Sequence, residues 1–462
     1  MLLSSLGTSV TNVALPTLAD AFGASFSAVQ WVVLAYLLGV TTMIVSVGRL
    51  GDMVGRRKLL LAGVVLFTLA SIACAFAPSL AVLIASRAVQ GIAGAIMMAL
   101  SLALVGEAVP TASTGSAMGL LGSMSAIGTA LGPSLGGLLI SQLGWRAVFL
   151  LNIPLGLLAF LLAHRFTPAD ARATVPDRQY DKAGSLLLAI SLTAYALGMT
   201  LRHDASGWSR IALLAGAGLG VVQFWHTETR ATHPLVPVAS LRDALLRNGL
   251  VASALVSTVM MTTLVVGPFY LSRALGLSPA RVGLAMSVGP IITALCGVPA
   301  GRMVDRMGAA RMTVWGLVAI ATGALLLSTC PSAWGVAGYV LPLGIATAGY
   351  AAFQTANNVG VMSNALEGQK GVIAGLLSLA RNLGLITGAS AMGALFAVAS
   401  RTADISRAEP AAVITGMRTT FAVATVLIIG TIALGEMAQR FARPRTRATL
   451  AARAGSVVRD SI

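Results

Sequence analysis

The chain has 462 residues, of which 56% are hydrophobic and only 10% charged, and its mean hydropathy is +0.87. A soluble domain carries roughly 25% charged residues, so these proportions exclude a soluble globular protein and indicate one that crosses a membrane many times. The formal net charge of +16 has the size of a nucleic-acid signal, but the placement of the charges, described below, argues against a nucleic-acid partner.

Apolar runs give about fourteen helical spans, each of the order needed to cross a hydrocarbon core. They cover residues 2–22, 29–47, 59–77, 80–105, 116–140, 147–162, 183–201, 211–225, 250–271, 282–303, 312–328, 335–361, 371–399 and 420–437. The first run begins at Leu2 with no basic residue before it and no small-residue cleavage pattern after it. It therefore reads as a span with little or no cytoplasmic lead, not as a secretory leader. It carries Asn12, able to hydrogen-bond a neighbouring helix, and Pro16, which removes a backbone bond and kinks a helix. Asp20, near the far end, reads as a solvated cap before Gly23.

Between the second and third runs lies a dense polar knot at residues 48–58: Gly48, Arg49, Leu50, Gly51, Asp52, Met53, Val54, Gly55, Arg56, Arg57 and Lys58. Its glycines permit a sharp turn and close helix approach. Asp52 is placed to cap the next helix and to pair with Arg56 or with an arginine on a neighbouring helix. A near copy returns at residues 301–311, where Gly301, Arg302, Asp305 and Gly308 keep their places at an offset of 301 − 48 = 253. One unit has been used twice. A topology anchor is the bland reading of either copy; the repetition favours a cytoplasmic gate.

The fourth run holds Arg87, Gln90 and Gly91. A charge inside an apolar run normally faces the protein interior or a water-filled cavity; the alternative is that Arg87 snorkels to the surface. In the fifth run Gly128, Gly132 and Gly136 form a stripe, with Gly137 beside it and Pro133 in its middle. Small-residue packing and a hinge both fit that pattern. Trp145 and Arg146 read as an interfacial anchor, and Asn152 and Pro154 interrupt the run that follows. Residues 166–248 form a polar-flanked linker containing two extra spans. An offset of 253 exceeds what six spans need, which leaves room for that pair. The plan is therefore an all-α membrane protein with a six-helix bundle at 1–165, the linker at 166–248, a second six-helix bundle at 249–438 and a basic tail at 439–462.

In the second half, Gln354, Asn357 and Asn358 read as one helical face, and Arg381 with Asn382 lies inside the thirteenth run. The alternate loops beginning with the knot, together with the tail, hold most of the 31 Lys and Arg residues. That asymmetry puts the knot and, with an even number of spans, both termini in the cytoplasm. The tail is expected to be disordered and to touch anionic lipid. Cys74, Cys296 and Cys330 lack disulfide or ligand spacing, His226 and His233 are not spaced as a helical metal pair, and no phosphate-binding loop or HExxH stretch occurs. No metal, no cofactor and no enzyme activity are expected.

These residues resemble the major facilitator superfamily, and specifically its fourteen-helix drug:proton antiporter branch. The resemblance rests on the knot, on residues 86–91, on residues 128–137, on Thr11–Pro16 with Trp31 and Tyr36, and on residues 145–156. It implies the major facilitator fold in a bacterial inner membrane, two bundles rocking about a central cavity, and efflux of drugs or other small organic compounds driven by the proton gradient. It implies a proton-path role for Arg87 and a sealing role for Gly128, Gly132, Pro133, Gly136 and Gly137. The expected polar lining of the cavity is Asn12, Tyr36, Arg87, Gln90, Gln354, Asn357, Asn358, Arg381 and Asn382. The expected gate is Gly48, Asp52, Gly55, Arg56, Arg57, Gly301, Asp305 and Gly308. Many relatives have an aspartate where this chain has Gly7, a departure that removes the usual proton carrier. The expected partners are a small organic substrate and the bilayer, with the protein as a monomer. A preference for Arg over Lys fits a GC-rich bacterial genome and keeps a dedicated exporter of one metabolite or antibiotic as an alternative. A receptor or scaffold without transport would need a soluble partner-binding segment, and none is evident in the sequence.

Overall fold

The computed structural model describes all residues except 25, 111–112, 168–180, 201–206, 231–240, 242, 332–333, 366–368, 402–408 and 460–462. The side chains of some others, among them Asn12, Pro16, Pro133 and residues 436–459, also lie outside the described set. The described residues are helical almost throughout, as expected where lipid offers no partner to a bare backbone group. In chain order the helices are α1 (Leu2–Phe22), α2 (Phe26–Val54), α3 (Arg56–Ala75), α4 (Leu80–Ala108), α5 (Thr114–Leu143), α6 (Arg146–Leu150), α7 (Asn152–Phe166), α8 (Lys182–Thr200) and α9 (Gly207–Arg230). They continue as α10 (Ala244–Phe269), α11 (Pro279–Met307), α12 (Ala309–Thr329), α13 (Ala337–Ser363), α14 (Lys370–Thr387), α15 (Gly393–Ala399) and α16 (Pro410–Arg459). Ten helical segments among the described residues are long and apolar enough to cross a membrane, and residues 183–199 form a shorter apolar helix.

Local chemistry sets the helix boundaries. Gly55, at φ 108°, turns the chain between α2 and α3, and its counterpart Gly308, at φ 86°, does the same between α11 and α12. Both angles are costly for any residue with a Cβ. Ser79 caps α4 by accepting from Val82 N, and Asp243 caps α10 by accepting from Leu245 N at 3.0 Å. The sixth run is divided at Leu151 into α6 and α7, where Asn152 and Pro154 were expected to interrupt it. Two π-helical turns had no sequence expectation. One, Tyr270–Ala274, follows Pro268; the other, Gly388–Met392, extends α14 towards α15.

Two expectations need correction. Trp145 is buried, not interfacial: its ring packs between Phe22 and Phe149, with centroids 5.4 and 6.2 Å away, and Arg146 covers it at 4.5 Å. The tail, expected to be disordered, continues the α16 backbone to Arg459; Ala and Arg, both good helix formers, are its commonest residues.

One apolar core gathers Ile44, Phe67 and Leu100 of α2, α3 and α4; another gathers Tyr339, Phe353, Phe396 and Phe421 of α13, α15 and α16. Large apolar side chains such as Leu69, Leu219, Leu295 and Val426 point outward, the arrangement a lipid-facing surface requires. The helices meet through glycines. A Cβ on Gly91 of α4 would collide with the Tyr36 carbonyl of α2, and one on Gly39 would strike the Ala88 carbonyl. Helices α8 and α9 pack on each other, and α8 also lies against α2 and α14. The Tyr195 hydroxyl bonds Thr387 Oγ1, and Ser390 Oγ donates to the Met199 carbonyl.

Forcing a side chain into a filled interior costs about 1–3 kcal/mol. Gly91→Val is therefore expected to lower the thermal unfolding midpoint in detergent clearly. Gly216→Ala, whose Cβ meets nothing within 4 Å, is expected to leave it unchanged.

Candidate functional site

A cavity of about 400 Å³ lies between the two sets of helices. One wall comes from α1, α2, α4 and α5, through residues such as Thr8, Tyr36, Met98 and Met118. The other comes from α10, α11, α13 and α14, including Met260, Pro290, Gln354, Asn358, Arg381 and Asn382. The hydroxyls on the wall are largely self-satisfied. Thr8, Thr263, Thr293 and Thr347 donate to carbonyls of their own helices at 3.0, 2.7, 3.2 and 2.7 Å.

Of the expected polar lining, Tyr36, Gln354, Asn358, Arg381 and Asn382 reach the cavity. Arg87, Gln90 and Asn357 do not, which corrects the expectation for them. Asn357 turns towards α10 and donates Nδ2 to the Gly249 carbonyl at 3.0 Å. It lies about 100° around the helix from Asn358, so the two cannot share a wall. Asn12 sits on α1 with its side chain outside the described residues.

Arg87 is fully buried behind Tyr36 (0% exposed), its guanidinium carbon 4.4 Å from the ring centre. Nε donates to the Val32 carbonyl at 3.0 Å, and Nη1 donates to the Gly7 carbonyl at 3.4 Å and to Gln90 Oε1 at 2.5 Å. Gln90 Nε2 passes the chain on to Ser71 Oγ at 2.6 Å, and Ser71 donates to the Phe67 carbonyl at 2.7 Å. Nη2 has no partner among the described residues. The snorkelling alternative therefore fails: the cation is held inside the first half by carbonyls, an amide and an aromatic face. Nothing in the sequence marked Ser71 as part of this network. Gly7, the site of the departure, offers Arg87 only its carbonyl, and a Cβ there would come within 3.0 Å of the Phe67 ring.

The two polar knots act alike and act across the halves. Asp52 Oδ1 accepts from Arg56 Nε and Nη2 at 3.0 and 2.7 Å and from Gly371 N at 3.2 Å, at the start of α14. Asp305 accepts from Gly115 N at 2.7 Å and from Ser116 N and Oγ at 2.9 and 2.7 Å, at the start of α5. Each carboxylate therefore caps a helix of the opposite half, where free amides and the helix dipole favour negative charge. Glycines make the approach possible: a Cβ on Gly48 would hit the Gly371 carbonyl, and one on Gly301 the Gly115 carbonyl. Arg57 also reaches α7. Its Nη2 donates to the His164 carbonyl at 2.5 Å, near the end of α7. Lys370 Nζ, which sequence reasoning missed, reaches the Gly106 carbonyl of α4 at 3.2 Å.

The α5 stripe receives α1. Added Cβ atoms on Gly128, Gly132 and Gly136 would meet the Leu2 carbonyl, the Ser9 side chain and Val10. Ser5 Oγ and Ser125 Oγ, 2.6 Å apart, and Ser9 Oγ to the Thr129 carbonyl at 2.7 Å fasten the same seam. Gly137 faces open space and belongs to no seam. The side chain of Pro133 lies outside the described set.

The profile of the Major Facilitator Superfamily matches residues 1–389. The chain is 31% identical over 392 residues to the multidrug resistance protein Stp of Mycobacterium tuberculosis, covering 84% of this chain and 72% of that one. It is 30% identical over 411 residues to the tetracenomycin C resistance and export protein of Streptomyces glaucescens, covering 88% and 75%. Among solved structures, the human organic anion transporter MFSD10 superposes with a TM-score of 0.66 over 94% of this chain and 96% of its own, at 16% identity, a level that speaks to the fold alone.

Hydrogen bonds to a charged group contribute about 1.5–3 kcal/mol each, so Asp305→Ala should loosen the α5–α11 seam. With Cys74, Cys296 and Cys330 replaced by Ser, a cysteine at Ser123, whose hydroxyl donates to the Ala294 carbonyl at 2.8 Å, is expected to react with a thiol reagent at least about tenfold faster when Asp305→Ala is added.

Proposed function

The chain belongs to the Major Facilitator Superfamily, and from that footing we propose that this transporter is a proton-driven exporter of amphipathic organic compounds working by alternating access. The observation that carries the reading is a cavity between the halves together with paired carboxylate latches that close the seams at one end. Two relatives named for drug resistance or antibiotic export support efflux as the direction of transport.

In this reading fourteen spans cross the bacterial inner membrane. Helices α1 to α7 form the first six-span half, with α6 and α7 sharing one crossing; α8 and α9 are the linking pair, and α10 to α16 make the second half. Both termini are cytoplasmic, which puts the latches on the cytoplasmic side and makes the described state closed there. The protein works as a monomer and needs no cofactor beyond the proton gradient.

Arg87 cannot release a proton at any relevant pH. Its part in coupling is electrostatic: a fixed positive charge behind Tyr36 that biases the path through the first half. The seam of Gly128, Gly132 and Gly136 against α1 provides the surface on which that half seals.

A second reading, export of one endogenous metabolite, is favoured by the second relative, named for a single compound. Reconstituted protein decides between them. In proteoliposomes with an imposed pH gradient, several unrelated amphipathic dyes are expected to move, and their movement to stop when an ionophore collapses the gradient. Movement of one compound alone selects the second reading, and movement indifferent to the ionophore removes proton coupling. Arg87→Gln is expected to cut gradient-driven transport at least about tenfold, because it removes the charge while an amide can keep a neighbouring hydrogen bond.

A further inference from the structure

We propose that the substrate carries an anionic group, and that Arg381 is its counter-ion in the central cavity. The inference deepens the exporter reading by naming the chemical class that this cavity selects.

Arg381 sits on α14 and is the charged side chain on the cavity wall; no Asp, Glu, His or Lys side chain joins it there among the described residues. It makes no ion pair and no hydrogen bond among those residues. Arg87 provides the contrast, since its Nε and Nη1 are held by carbonyls and by Gln90. The phenol within electrostatic reach of Arg381 is Tyr350, which is itself engaged with Ser257. Arg381 is half-buried on the cavity wall, and a guanidinium with no protein partner there is free to pair with a ligand oxyanion.

The neighbours of Arg381 point the same way. Asn382 Nδ2 is buried without a partner, a donor lacking an acceptor. Gln354 and Asn358 lie one helical turn apart on α13, both on the wall, and neither bonds to another described residue. One guanidinium and three amides thus converge from α13 and α14 with their hydrogen-bonding capacity unspent. That is a donor-rich set suited to a carboxylate, sulfonate or phenolate. The opposite wall mixes adaptable apolar side chains such as Met98 and Met118 with hydroxyls, and those of Thr8, Ser5 and Ser9 are engaged within the first half. A volume of about 400 Å³ suits a compound of drug size. The ligand is therefore an amphipathic organic anion, with its charged end against the second half and its apolar body against the first.

The test uses the full chain and three dyes built on one aromatic scaffold: a carboxylate, its methyl ester and a trimethylammonium analogue. Binding is read by fluorescence polarisation in detergent, and movement is read in proteoliposomes. The carboxylate is expected to bind at least tenfold more tightly than the ester, with the cation weakest. Arg381→Gln is expected to erase the difference between carboxylate and ester while leaving ester binding within about twofold, and Arg381→Lys to keep part of it. If Arg381→Gln does not fold, Asn358→Leu and Asn382→Ala are expected to reduce the carboxylate preference several-fold. The assignment is overturned if the cation binds as tightly as the carboxylate, if the carboxylate does not bind, or if Arg381→Gln weakens all three dyes equally. Anion-selective binding without movement of any dye would overturn the exporter reading and leave this one standing.

Discussion

A carboxylate facing the first amides of a helix in the opposite half holds the molecule shut at one end, and it does so twice. Asp52 meets α14 and Asp305 meets α5. A helix N-terminus and an anion attract, and the geometry demands that two backbones nearly touch. Glycine pairs at Gly48 with Gly371 and at Gly301 with Gly115 meet that demand. The cavity exists because the halves are pinned at these two points and kept apart between them by their own side chains. Apolar side chains also join the halves: Val372 and Leu379 of α14 pack with the cluster of α2, α3 and α4, and Leu102 and Met118 pack with Leu246 and Val361.

Half of each latch was legible in the sequence. The repeated Gly, Asp and Gly stood out because the same spacing returned after 253 residues. The receiving helices did not stand out. Gly115, Ser116 and Gly371 carry no local signal, and their carboxylates lie 190, 189 and 319 residues away along the chain. A helix start looks the same whether it receives an anion from water, from its own cap or from the other half. The glycine stripe of α5 was legible because its period of four is a property of one helix, and Gly137 was grouped with it although it points elsewhere. The same single-helix reasoning grouped Asn357 with Gln354 and Asn358. Only the position of α10 shows that one of the three faces away from the cavity.

Arg87 shows the same division between what a sequence dictates and what packing decides. A guanidinium inside an apolar run had to be interior or snorkelling. That it lies behind Tyr36, and not on the cavity wall, follows from the close contact of α2 and α4. Gly39 and Gly91 let those helices approach until the ring of Tyr36 fills the space between the cation and the cavity. Among the described residues, the acceptors that α2 and α1 then offer it are the carbonyls of Val32 and Gly7. Register, set by glycine, chose the partners.

The two walls of the cavity are chemically unequal, and that inequality bears on how a tilting transporter can let go of what it carries. On the first half, Thr8 spends its proton on its own backbone, Ser5 and Ser9 are tied to α5, and Tyr36 is tied to the Ser4 carbonyl at 3.2 Å. Ser4 Oγ, without a partner among the described residues, is the exception on a wall that otherwise offers mainly area, and contact with area weakens gradually as a surface withdraws. On the second half, Gln354, Asn358, Arg381 and Asn382 keep their donors, and such contacts are directional and orient whatever they hold. In the alternating-access reading proposed above, a ligand held this way would stay registered on one half while the other slid off it. Had both walls held it by directional bonds, any tilt would have had to break one set before water could replace it, and the barrier to release would have risen with the affinity. In that reading, placing orientation on one side and contact area on the other would let the same cavity bind firmly when closed and release when opened.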